Sequence, residues 1–272
     1  MNEESEADVR GADESGADES GADVSGADVS GADVSGADVS GAEASYGRLR
    51  VEETDLAPAR WLTERRPGYG DFGTVAGVAA PGFAAYARVL HPASLDERPV
   101  RWETVAAAYG RRVEALTDWH EVIYVERFYQ NAQEYGLPGV WDEHAAEGPT
   151  PGEVARALMP VLARHTGTPE RCWFGLWEGY GRREWPGTPT FPTPERDEIL
   201  LSGPLADVLS PEILDPFLEL PDLWWPQDRA WCVGGDVDLV STYVGGSEEL
   251  ITELLTTAGL EAHRVEAGDG VG

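Results

Sequence analysis

The chain has 272 residues, with fifty acidic side chains against twenty basic ones and a net charge of −30. Acidity on that scale, without a basic cluster, disfavours nucleic-acid backbones and anionic membranes as partners. Every basic side chain is arginine, which excludes Schiff-base chemistry, pyridoxal anchoring and a P-loop lysine.

The first element is a repeat. From residue 11 the chain reads Gly-Ala-Asp-Glu-Ser twice, Gly-Ala-Asp-Val-Ser four times and Gly-Ala-Glu-Ala-Ser once, ending at residue 45. Residues 1–45 hold thirteen acids and one arginine, a net −12, which leaves −18 for the remainder. Shifted by one residue, Ala-Asp-Val-Ser-Gly resembles the pentapeptide-repeat family, whose chains wind into a square right-handed β-helix. The resemblance covers residues 6–45, where the buried slot holds Val9, Val24, Val29, Val34 and Val39, but Glu14, Glu19 and Ala44 in other units. Low hydrophobicity, like charge and frequent glycine predict a disordered acidic tail over 1–46, with a short β-helical stub as the alternative. The opening Met1-Asn-Glu-Glu-Ser-Glu lacks the basic and apolar regions of a signal peptide. No uncharged apolar run approaches the roughly eighteen residues of a membrane helix. The expected compartment is the cytoplasm.

Past the tail, Arg65-Arg66-Pro67-Gly68-Tyr69-Gly70 is a turn cluster. Residues 75–80 and 83–90 read as two apolar strands around Pro81-Gly82. Trp102, Val105, Ala106 and Tyr109 recur at helical spacing over 100–110, with Gly110 as a stop. Thr150-Pro151-Gly152-Glu153 is the clearest helix start, with Thr150 as the cap and Glu153 closing a capping box. The helix face that follows is Val154, Leu158 and Leu162. Both faces of 172–178 are apolar, which predicts an inner strand. The proline-rich run 186–194 reads as a loop before a strand at 198–201, and Ser210-Pro211-Glu212 as the opening of a short helix. Ser247 caps a helix whose face is Leu250, Ile251, Leu254 and Leu255, and a strand at 260–265 ends the pattern. This order predicts one α+β domain over 47–267, a mixed sheet with helices packed on it, and a disordered end at 268–272.

Chemistry concentrates in 222–247, which holds Trp224, Trp225 and Trp231, an Asp228-Arg229 pair, and Asp236 and Asp238 two residues apart. Pro226 and Asp228 suggest a turn that presents indoles outward, a natural anchor for a protein or small-molecule ligand. Glu178, at the end of the inner strand, is expected to join Asp228, Arg229, Asp236 and Asp238 in one cleft, with Arg229 paired to a carboxylate. The element Asp236-Val237-Asp238 resembles the Asp-x-Asp of metal-dependent glycosyltransferases, and two carboxylates on one face of an extended chain suit a divalent cation. Cys172 and Cys232 read as buried thiols, and the five histidines show no ligand spacing. Nucleophile elbow, P-loop, dinucleotide fingerprint and His-Glu-x-x-His are all missing. The segments 172–179, 223–231 and 241–247 together resemble an actinobacterial family without an assigned activity, so no functional residue is carried over. The leading expectation is a non-catalytic binding or regulatory module without a cofactor, binding through Trp224, Trp225, Asp228, Arg229, Trp231 and Glu178. The alternative is a metal-dependent transferase or hydrolase using Asp236 and Asp238.

Overall fold

Along the strand Cys172–Trp177 the side chains alternate between two packed faces. Cys172, Phe174 and Leu176 join one buried cluster, and Trp173 packs against another on the opposite side. The same alternation separates Trp224 from Leu223 and Trp225, Val233 from Cys232, and Val244 from Tyr243. Period-two side chains with both faces buried make these the inner strands of a sheet covered on both sides.

A computed structural model describes residues 44–65, 73–123, 136–181, 183–193, 196–213 and 219–272. The chain divides into two units, Met1–Gly41 and Ala42–Gly272, and every described element belongs to the second. The tail with its repeats lies outside the described residues up to residue 43, as does the turn cluster at 66–70.

The strands are β1 (Ser45–Tyr46), β2 (Leu49–Val51), β3 (Ala85–Leu90), β4 (Ala93–Leu95), β5 (Arg98–Val100), β6 (Cys172–Trp177), β7 (Thr190–Thr193), β8 (Arg196–Gly203), β9 (Leu223–Pro226), β10 (Cys232–Gly234), β11 (Ser241–Gly246) and β12 (Ala262–Val265). The helices are α1 (Arg60–Arg65), α2 (Val75–Ala79), α3 (Trp102–Ala108), α4 (Trp119–Ile123), α5 (Gly152–Arg164) and α6 (Glu248–Leu254). Ten strands form one sheet in the order β1-β2-β8-β6-β9-β10-β11-β3-β12, with β7 beside β8 and β4-β5 as a separate ribbon. The class is α+β. The sheet is antiparallel at every described pairing, however, rather than mixed.

α5 and α6 cover one face through Val154, Leu158, Leu162, Leu250, Ile251 and Leu254. α1 and α2 cover the other through Trp61, Leu62, Val75 and Val78. A third cluster, centred on Trp102, Trp119 and Trp141, packs α3 and α4 against Leu90 at the end of β3. Ser247 caps α6 as expected, its hydroxyl accepting from the Leu250 amide at 3.2 Å.

Several segments depart from the sequence reading. Residues 75–79 form a helix rather than a strand, started by Thr74, whose hydroxyl accepts from the Gly77 amide. A short apolar run bounded by proline carries no period that separates the two states, and the Thr74 cap decides it. Thr150 does not cap α5, because its hydroxyl lies 2.9 Å from Thr242 Oγ1 in a buried network and Pro151 takes the cap position. The proline-rich loop contains β7, where Pro192 is tolerated because the strand pairs on one side only. Ser210 follows a 3-10 helix (Leu205–Leu209) and leads into a turn over 211–213, and the rest of the expected helix lies outside the described residues. Ser45 and Tyr46, placed in the tail by the sequence reading, pair with β2.

The expected disordered end is tied down. Val271 donates to the Gly73 carbonyl, and the Gly272 amide donates to Tyr243 Oη. Arg88 Nη2 donates to the Gly272 carbonyl at 2.7 Å. Among the described residues no helix is long and apolar enough to cross a membrane.

Candidate functional site

The three tryptophans expected to face a ligand are core residues. Trp224, Trp225 and Trp231 are each at most 1% exposed. Trp224 Nε1 donates to the Pro221 carbonyl at 2.7 Å and Trp231 Nε1 to the Leu162 carbonyl at 3.0 Å, which satisfies both buried donors. Trp225 meets Trp61 and Phe191 edge-on. β9 runs on through Pro226, so residues 224 and 225 point to opposite covered faces of an inner strand, and the turn begins only at Gln227.

The polar residues expected in one cleft are divided between the two ends of the sheet. Asp228 and Arg229 follow β9 at the end where Pro226 pairs with Cys172. Glu178 follows β6 at the other end, where Trp177 pairs with Glu198, and is exposed. Asp236 lies at that same far end, after Gly234, which pairs with Leu223. Asp228 accepts from the Thr166 hydroxyl and from the amides of Gly167 and Ala230. Burial pushes its carboxyl up, yet these donors outweigh it and hold the group below the usual carboxylate range. Asp228 therefore ties a loop rather than a ligand. Among the described residues Arg229 does not form the expected pair with a carboxylate. Its guanidinium sits 5.4 Å from the centre of the Trp61 ring, on a backbone with φ of 56°.

Asp236 and Asp238 do come together, but around a guanidinium. Arg196 Nε and Nη2 donate to the two oxygens of Asp236 at 2.9 and 3.0 Å, and Nη2 reaches Asp238 at 2.9 Å. The pair lies in a turn, with the Asp238 amide donating to Asp236 Oδ1, and not on a strand. The positive charge expected from a divalent cation is thus supplied by the chain itself. Among the described residues no group of three or more His, Cys, Asp or Glu side chains is placed to hold a metal ion.

Arg196 leads to the residues that sequence reading missed. Its guanidinium also stacks 4.5 Å from the centre of the Trp177 ring. Beside it, buried Asp222 accepts from Tyr180 Oη and, at 2.9 Å, from the Trp177 amide. Burial above all pushes the Asp222 carboxyl up to about 7, and neighbouring Asp236 adds to the shift. Burial and the Asp222 charge raise the Tyr180 phenol well above its ordinary value, so it stays a donor. Asp222 is the hinge of this knot, and its position directly before the apolar strand Leu223–Pro226 was the available signal.

In front of the knot lies a shallow recess of about 10 Å³, room for one water, walled by Tyr46, Leu176, Trp177, Tyr180, Arg183, Trp185 and Glu219. The segment after β6 turns tightly as a 3-10 helix (Glu178–Tyr180), and Trp177 folds back over it. A Cβ at Gly179 would stand 2.2 Å from the Trp177 ring, so any larger residue there would displace the indole. Trp177 and Tyr180 meet edge-on at 5.2 Å, and Tyr46 lies 6.1 Å from Trp185. Tyr46 Oη donates to the Glu219 carbonyl at 2.7 Å. Arg183 spans the opening, 4.6 Å over the Trp185 ring and bonded to the Ser45 carbonyl. A wider groove of about 370 Å³, bordered by Asp55, Arg60, Thr63 and Pro192, lies elsewhere on the surface.

No protein-family model, no curated protein and no solved structure matches the chain.

Proposed function

We propose that the protein is a non-catalytic binding module of the cytoplasm that binds a protein or small-molecule ligand against the partly exposed aromatic surface of Trp177, Tyr180 and Trp185. One observation carries this reading. Seven of the ten tryptophans are buried, and two of the three that stay partly exposed, Trp177 and Trp185, converge with two tyrosines on the same concavity. Half-exposed aromatic rings around a depression are the composition of an interface anchor site. The walls are also held in place before any ligand arrives, Tyr180 by Asp222 and Trp177 by Arg196, which lowers the ordering cost of binding.

Titration with a library of small aromatic and cationic fragments, followed by the indole Nε1–H resonances of the ¹⁵N-labelled protein, tests the reading. Signals of Trp177 and Trp185 should move, and Trp185→Ala should abolish the response. Responses confined to amides around Asp55–Thr63 would place the site in the wider groove instead.

A further inference from the structure

We propose that the edge strand β7 takes up an extended segment of a partner protein as an added strand, with one carboxylate of that segment meeting Arg60. This surface is separate from the aromatic one of Trp177, Tyr180 and Trp185 and does not depend on it. β7 pairs with β8 alone, so among the described residues its other side is a free edge. Pro192 fixes which groups that edge offers. Its nitrogen has no hydrogen to give, so in the pair Pro192–Asp197 it points away from β8. Backbone groups in an antiparallel pair alternate direction from residue to residue, so those of Thr190, two before, point the same way. The edge therefore presents the Thr190 N–H and C=O and the Pro192 C=O. Among the described residues none of these makes a hydrogen bond outside the sheet.

The groove of about 370 Å³ lies along this edge. Thr190, Phe191 and Pro192 line it in succession although their side chains alternate between the two faces of the sheet, so it follows the strand rather than one face. The rest of its lining is the segment 54–57 with Arg60 and Thr63 of α1. These walls are fixed before anything binds. Phe191 is buried edge-on against Trp225, and Trp61 and Leu62 of α1 belong to the same cluster. Asp55 accepts from the Ala57 amide at 2.8 Å, which sets the turn into α1. A strand edge and a helix on either side of a groove can accept a peptide strand, with main-chain bonds on one side and side-chain contacts on the other.

The edge and its charge select the occupant. An extended main chain supplies donors and acceptors at the two-residue repeat that Thr190 and Pro192 require. Asp55 is committed to the Ala57 amide, whereas Arg60 is exposed and makes no ion pair among the described residues. The groove thus has one unanswered positive charge, which a single carboxylate matches. The chain beyond the tail carries a net −18, from thirty-seven acids and nineteen arginines, so the remainder of the segment should be neutral or basic. A second copy of this chain is disfavoured, because it would bring the same negative surface against this one. β7 has four residues, about 13 Å of strand, and Pro192 withholds a donor, so pairing is short and does not propagate as sheet growth.

The test pans a phage-displayed library of random octapeptides against the full chain, with the Thr190→Pro protein as counter-target. Thr190→Pro removes the outward N–H at a position where, as at Pro192, the sheet needs no donor, and Thr190→Ala keeps it. Peptides should be enriched on the parent and not on Thr190→Pro, and should share one acidic position. The most enriched octapeptide, blocked at its C-terminus and labelled with fluorescein at its N-terminus, is then followed by anisotropy. It should bind the parent and Thr190→Ala alike, and Thr190→Pro about tenfold more weakly. Arg60→Gln should weaken it about threefold, as should glutamine at the acidic position of the peptide. N-methylation of the peptide should cost about tenfold at every second residue and little between, because only alternate N–H groups face β7. That scan needs no protein variant and decides the matter even where Thr190→Pro fails to fold.

No enrichment on the parent, or equal enrichment on a folded Thr190→Pro, would overturn the proposal. Equal effects of N-methylation at neighbouring positions would overturn strand addition, and unchanged binding to Arg60→Gln would overturn the carboxylate. Self-association of the parent that Thr190→Pro abolishes would assign the edge to a second copy instead of a partner. Peptide binding that moves the Trp177 and Trp185 indole resonances and is lost in Trp185→Ala would belong to the aromatic surface and overturn β7 as the site. Amide shifts confined to 54–63 and 190–193, with both indoles still, are the supporting result, and the fragment titration then decides the aromatic surface independently.

Discussion

His91 sits inside the protein with Nδ1 2.7 Å from the Ala146 carbonyl and Nε2 2.8 Å from Thr242 Oγ1. Burial pulls its ring down from 6.5 to about 4. The unfolded chain takes up this proton below pH 6.5, and the native state refuses it until about pH 4. Stability from the neutral ring is therefore complete above the first value and lost on the way to the second, by up to about 3 kcal/mol. Urea unfolding at successive pH values should show the loss, with the His91 ring titrating late by NMR. Asp222 has the opposite sign. Its folded value of about 7 against 3.8 means that the native state holds a proton the unfolded chain has released. That contribution is present at low pH and lost as pH rises through about 7. Asp222→Asn keeps an acceptor for the Trp177 amide and cannot ionise, so its stability relative to the parent should rise between pH 5 and pH 8. A difference in urea midpoint that stays flat across that range would refute the assignment.

At the scale of elements, β10 and α2 approach so closely that a Cβ on Gly234 would lie 2.3 Å from the Val78 carbonyl oxygen. Backbone cannot rotate away as a side-chain tip can. Gly234→Ala should therefore displace α2 and cost about 2 kcal/mol, within the range of overpacked cores. A melting temperature equal to the parent's would show that α2 is not seated against the sheet. The same contact explains why α2 was hard to read from sequence. Its residues are small and apolar because they lie flat on a sheet, and that composition serves a strand equally well. α5 was legible by contrast, since its buried positions Val154, Leu158 and Leu162 repeat at three to four residues over a full thirteen. Only its cap was misread, because the Thr150 hydroxyl is engaged by Thr242, 92 residues away and itself in contact with His91 Nε2, which no local rule detects.

At the scale of the molecule, a surplus of eighteen negative charges beyond the tail makes compaction work against self-repulsion. Raising sodium chloride from about 10 to about 300 mM shortens the screening length from roughly 30 Å to well under 10 Å. The urea midpoint should therefore rise with salt, and a fall would show that attractive ion pairs dominate the surface. The α+β class, the inner strand β6 and the helices α3, α5 and α6 were all readable from the chain alone. Hydrophobic period and cap chemistry act between near neighbours, so a local pattern is enough to define such elements. The site was not readable in that way. Sequence named the stretch richest in tryptophan, but burial is decided by what covers each face, and both faces of β9 are covered. Tertiary structure alone brought Tyr46, Trp177 and Trp185 to one recess, put Arg196 between Asp236 and Asp238, and separated Asp228 from Glu178 by the length of a strand. Each of these is a meeting or parting of residues distant along the chain, and the pairing of strands determines it.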